Sequence, residues 1–119
     1  MKSDHPSVVY FTRDLSSEGL LRIFERVRGA LSGRIAVKLH TGEPDGPNIL
    51  PRPWVKDLMA TLPGAVITET NTYYDGGRFT TEEHRKTIAR NGWTFAPVDI
   101  LDEDGAVDFP VAGGKWFDI

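Results

Sequence analysis

Apolar positions along this chain come in short blocks, each followed by a polar or turn-rich stretch. Val8-Val9-Tyr10-Phe11 is an uninterrupted apolar run and reads as a buried first strand. From Ser17 to Leu31 the period changes: Leu20, Phe24, Val27 and Leu31 recur at helical spacing. Ser16 or Ser17 stands ready to cap the start, and Gly33 lies just past the end. Arg34 to Leu39 predicts a second strand, with Ile35, Val37 and Leu39 on one face and Ala36 and Lys38 on the other. His40 to Pro51 holds Pro44, Pro47 and Pro51 with Gly42 and Gly46, so it must be a loop.

The alternation continues downstream. Pro53 suits the first turn of a short helix through Leu62, closed by Pro63-Gly64. Ala65 to Thr70 predicts a third strand, followed by a polar loop that runs to Arg78. Thr80-Thr81-Glu82-Glu83 reads as a capping box for a helix to Asn91, with Gly92 ending it. Ala96 to Ile100 is the fourth predicted strand, Asp102-Glu103-Asp104-Gly105 an acidic turn, and Ala106 to Val111 a fifth strand. Strands alternating with helices predict an α/β fold: an open, mainly parallel sheet of about five strands with right-handed crossovers, a Rossmann-like half. With 119 residues and no linker or repeat, residues 1–119 read as a single domain.

That architecture locates the chemistry. In open α/β sheets ligands bind beyond the carboxyl ends of the strands. Two polar loops leave predicted strands there: one after Leu39, the other after Thr70. In the first, His40 and Glu43 flank Gly42; imidazole beside carboxylate can bind a divalent metal or move protons, or His40 simply closes the strand while Glu43 is solvated. Lys38 interrupts an apolar strand. It needs a carboxylate, with Glu69 one strand over the obvious partner, or else it snorkels to water. The second loop offers Asn71, Tyr73 and Arg78 around Gly76-Gly77. Arg78, just before a helix, has the fork geometry for a phosphate or carboxylate, whereas an ordinary long turn uses the same residue types. His84 falls on the inward side of the following helix, as a packing residue or as a third ligand with His40 and Glu43.

Composition removes several classes. A net charge of −3 without a basic stripe argues against nucleic acid. Apolar runs are far shorter than the roughly 20 residues of a membrane span, and the first residues lack the apolar core of a secretory signal, so the cytoplasm is the expected compartment. With no cysteine, this chain ligates no iron–sulfur cluster and has no thiol nucleophile. The Gly-x-Ser-x-Gly elbow, the Gly-Lys-Ser/Thr phosphate loop and a dinucleotide fingerprint after the first strand are all absent.

Several motifs coincide with one family. Lys38-Leu39-His40-Thr41-Gly42-Glu43-Pro44, Arg52-Pro53, Thr68-Glu69-Thr70-Asn71-Thr72-Tyr73, Gly77-Arg78 and His84 to Gly92 resemble, in order and spacing, the N-terminal half of the iron–sulfur-centre proteins known as domain of unknown function 362. Members of that family are typically longer, and many carry a cysteine module for [4Fe–4S] clusters, which this chain lacks. The resemblance implies an α/β domain and places Lys38, His40, Glu43, Arg52, Asn71, Tyr73, Arg78 and His84 as ligand-binding positions for a small anionic or metal-bearing ligand. A second expectation competes with it. The tail Trp116-Phe117-Asp118-Ile119, after Gly113-Gly114, ends on apolar residues, as a segment would that folds back, meets a partner or continues into a longer protein. A non-catalytic assembly domain, homodimeric through a sheet edge or through this C-terminal segment, fits that feature, as does a truncated product without activity of its own.

Overall fold

The computed structural model describes residues 6–105 together with residues 107, 112 and 113. Three parallel strands form an open sheet: β1 (Ala36–Lys38), β2 (Val66–Glu69) and β3 (Val98–Ile100), in that spatial order. Three helices alternate with them: α1 (Ser17–Val27), α2 (Arg52–Ala60) and α3 (Thr81–Arg90). The strands run Ala36, Val37, Lys38 against Val66, Ile67, Thr68, and Ile67, Thr68, Glu69 against Val98, Asp99, Ile100. Because side chains alternate across a strand, Val37, Ile67 and Val98 share one face. Their partners in the core are Val55 and Met59 of α2, Ile88 of α3, and Trp93. Ile67, Ile100 and Trp93 are completely buried. The other face carries Ala36, Val66, Thr68 and Asp99, which floor a shallow groove of about 280 Å³.

Local signals fix the helix ends. Ser16 caps α1 by accepting from the Gly19 N–H, and Thr80 caps α3 by accepting from the Glu83 N–H. The reciprocal half of the capping box is not made: the Glu83 carboxylate takes Lys86 instead. At its far end α3 closes with paired bonds, Gly92 N–H to the Ala89 carbonyl and Trp93 N–H to the Ile88 carbonyl. Gly92 sits there at φ +81°, and Trp93 packs back on Ile88 in the core. This closure sets the position of Asn91, on which the site depends.

Several expectations change. The helix predicted to Leu31 stops at Val27 and tightens into a 3₁₀ turn, Arg28–Ala30. The strands are shorter than their apolar blocks, since only the central residues find a partner in register. The acidic segment becomes a 3₁₀ turn, Leu101–Asp104. The largest correction concerns Val8–Phe11, which is not a strand: it pairs with nothing among the described residues, and Val8, Val9 and Phe11 are 75%, 85% and 81% exposed. An apolar run signals a need for burial without saying what will bury it. The sheet therefore has three strands among the described residues, where about five were expected. Of the predicted fifth strand, Ala106–Val111, only Val107 is described, and the apolar tail Trp116–Ile119 lies outside the described residues. No helix among those described is long and apolar enough to cross a membrane.

Candidate functional site

The loops after β1 and β2 meet at the carboxyl edge of the sheet, joined by two buried side chains of opposite charge. Glu69, at the end of β2, is 4% exposed, and Arg78, at the end of the second loop, is 5% exposed. Glu69 accepts from the Lys38 ammonium at 2.5 Å and from the Thr41 N–H at 3.0 Å, and lies 3.5 Å from the Arg78 guanidinium. Arg78 in turn forks onto one Glu43 oxygen, with Nε at 3.0 Å and Nη2 at 2.7 Å. Tyr74 donates its hydroxyl to the same oxygen at 2.8 Å. Lys38 and Arg78 balance Glu43 and Glu69 in formal charge, so the interior of the cluster is close to neutral.

These contacts tune the acids. Burial pushes the Glu69 carboxyl up, but the Lys38 ammonium and the Thr41 and Thr70 N–H groups outweigh it and hold the group below the usual carboxylate range. The Arg78 guanidinium does the same for Glu43 against a smaller cost of burial. For Arg78 burial disfavours the charge, yet the Glu43 carboxylate more than restores it and raises the guanidinium above its ordinary value.

His84 is fully buried, and both its ring nitrogens are used. The Asn71 amide nitrogen donates to the Thr81 hydroxyl, so its oxygen, 3.0 Å from His84 Nδ1, must accept. Nδ1 therefore carries the proton, and Nε2 accepts from the Thr41 hydroxyl at 2.9 Å. Burial and then the nearby Arg78 charge push this imidazole below its ordinary value, consistent with a neutral ring. His84 ties α3 to both loops.

The first loop is held mainly by residues that sequence reasoning passed over. Asn91 donates its amide to the carbonyls of Thr41, Gly42 and Glu43 at 3.0, 3.2 and 2.9 Å, and accepts from the Asp45 N–H. Trp93 adds its indole N–H to the Thr41 carbonyl at 2.8 Å. Gly42 sits at φ +83°, where a Cβ would lie 2.2 Å from Ile49. At Gly77 a Cβ would come within 2.5 Å of Pro44, so its absence lets the second loop lie directly on the first. Every buried side-chain nitrogen and oxygen among the described residues has a hydrogen-bond partner.

The eight expected ligand positions separate into three groups. Glu43, Asn71, Arg78 and His84 are spent on the lattice just described. Lys38 and His40 stand at its rim: the Lys38 side chain is 64% exposed although paired with Glu69, and the exposed His40 accepts a long bond, 3.5 Å, from Arg78 at Nδ1, leaving Nε2–H outward. Arg52 and Tyr73 stand apart. Arg52 opens α2 and lies against Gly92, while Tyr73 is fully exposed and its neighbour Tyr74 makes the contact instead. The expected metal set of His40, Glu43 and His84 is not brought together: among the described residues no three His, Cys, Asp or Glu side chains are grouped to hold a metal ion. Beside His40 and Glu43 the first loop does leave a hollow of about 70 Å³, floored by Gly42, Gly46 and Ile49.

Comparison with known proteins adds no family: no protein-family model, no curated protein and no solved structure matches the chain.

Proposed function

We propose that this chain is an α/β binding domain that captures a small anionic ligand, alone or carrying a metal, at the carboxyl edge of its sheet. Lys38 Nζ and His40 Nε2–H are the two groups that meet it. The observation that carries the reading is the division of labour at the edge. Buried Glu69, held by Lys38 and the Thr41 N–H, and buried Arg78, held by Glu43 and Tyr74, fix the two loops, while the largely exposed Lys38 ammonium and His40 stand at the rim, His40 beside the hollow. Arg78 is accordingly a positioning residue and does not touch the ligand, since its donors are engaged. We place the chain with the iron–sulfur-centre family, domain of unknown function 362, on the motifs quoted above. Its three strands are then part of a larger, mainly parallel Rossmann-like sheet of about five, and the cytoplasm is its compartment. Without cysteine the chain does not fit a cluster, and no catalytic step is assigned to it.

Inorganic phosphate and malonate, titrated separately into labelled protein, test the site. Saturable amide shifts at Lys38, His40 and Thr41 are expected, lost in Lys38→Met. Absence of saturation with both anions, or shifts unchanged in that variant, would refute the reading. A second reading, an assembly domain completed by a partner, is favoured by the exposed Val8–Phe11 segment.

A further inference from the structure

Three surfaces are left incomplete among the described residues, and one extended strand would complete all of them. The first is the segment Val8–Phe11 itself. The second is the outer edge of β1. Leu39 donates to the Thr68 carbonyl and Val66 to the Ile35 carbonyl, so the odd-numbered residues direct their main-chain groups to β2. Alternation then turns the N–H and C=O of Ala36 and Lys38 outward, where nothing among the described residues meets them. The third is the apolar side of α1. Phe24 packs on the core, but Leu20 is only half-buried, Val27 and, past the helix end, Leu31 are 46% and 43% exposed, and Gly19 is the one buried residue of the helix.

We propose that Val8–Phe11 of one copy of this chain lies parallel on the free edge of β1 in a second copy, beneath the apolar side of that copy's α1, and that the exchange is reciprocal. Val8–Phe11, α1 and β1 are in the chain order of a right-handed β-α-β unit whose first strand belongs beside β1. Alternate side chains of a strand in that slot would turn toward α1, which gives apolar residues there a surface to cover. The structure indicates why the arm comes from a second copy. The base of each arm is pinned to its own helix: Ser16 Oγ donates to Asp14 at 2.6 Å, Arg22 pairs with Asp14, and the Asp14 carbonyl occupies the space a Cβ on Gly19 would need. These pins run the arm along the Arg22–Arg26 flank of α1, with a hollow of about 650 Å³ between Tyr10, Phe11 and Ile23. The arm is thus held off its own β1 while its apolar side chains stay free. A two-fold exchange covers both arms and both edges with one self-complementary contact.

Sedimentation equilibrium of the full chain tests this. The wild type should reach twice the mass of one chain as concentration rises. Val9→Asp, which spoils the arm, and Ala36→Pro, which removes an outward donor without touching the β1–β2 ladder, should each sediment as single chains. Mixing the two variants should give a mixed dimer weaker than the wild type, because one of its two exchanges, sound arm on sound edge, is intact. Hydrogen exchange on the wild type needs no variant: Val8–Phe11 amides should gain protection with concentration. A single-chain mass throughout, a dimer that survives both substitutions, or arm protection independent of concentration would overturn the proposal; the last would place the arm on its own edge.

Discussion

The carboxyl-edge loops and the N-terminal arm put irregular chain to opposite ends. Around Glu69 and Arg78, residues far apart in sequence bind one another until no buried side-chain nitrogen or oxygen among the described residues is left over. The arm, from Val8 to Phe11, has apolar side chains in water and no main-chain partner among the described residues. Order in a loop therefore does not require regular secondary structure; it requires partners for its polar groups. An apolar segment without a partner stays exposed however strongly its composition favours a strand. One region is complete within a single chain, and the other asks for a surface from outside.

If that contrast is right, the greatest loss of stability comes from breaking the buried lattice. Arg78→Met removes the guanidinium from Glu43 and from the vicinity of Glu69, leaving a buried carboxylate with Lys38 as its cation. We expect a loss of about 3 kcal/mol in urea unfolding, typical of a buried pair deprived of one partner. A loss below about 1 kcal/mol would give the lattice the value of a surface ion pair. Asn91→Ala comes next, at about 2 kcal/mol, because three carbonyls and one N–H of the first loop lose their common partner but partly recover water. Heteronuclear relaxation should then show residues 41–46 newly mobile, with the core strands unchanged.

Acid should loosen the same region in two stages. His84, Glu43 and Glu69 are all lowered in the folded protein, so the unfolded chain binds more protons than the folded one as pH falls. Stability is full above the ordinary histidine value of 6.5 and declines below it through His84, then declines further below 4.5 as the two carboxylates are titrated. The sign is the same for all three: less stability at lower pH. The urea midpoint followed against pH checks this, and His84→Gln should remove the first decline while leaving the second. A midpoint flat between neutrality and the carboxylate range in the wild type would mean that His84 is not held neutral.

The same contrast explains what the sequence disclosed. The meeting of the two loops was readable because periodicity located β1, β2 and α3, and the chain must leave β1 and β2 at their carboxyl ends. A lysine in an apolar strand must meet an anion one strand away or reach water, and Lys38 does both, pairing with Glu69 while its side chain stays exposed. Asn91 and Trp93 were not readable, since their bonds reach Thr41 across 50 and 52 residues and their local signal is only that of a helix end. Tyr73 was preferred to Tyr74 because an irregular loop has no period to say which neighbour points inward. Val8–Phe11 failed for another reason: burial is a property of two surfaces, and the sequence displayed one.

The smallest stability effect is the one that separates the two regions most cleanly. Val9→Asp places a charge where the wild-type side chain is already 85% exposed. At low protein concentration, where association contributes nothing, its urea midpoint should match the wild type to within about 0.5 kcal/mol, as for surface substitutions. At high concentration the two should diverge, because only the wild type gains stability by mass action. A loss of about 2 kcal/mol or more already present at low concentration would mean that Val9 is buried within its own chain. The arm would then be as complete as the carboxyl edge, and the distinction between the two regions would fail.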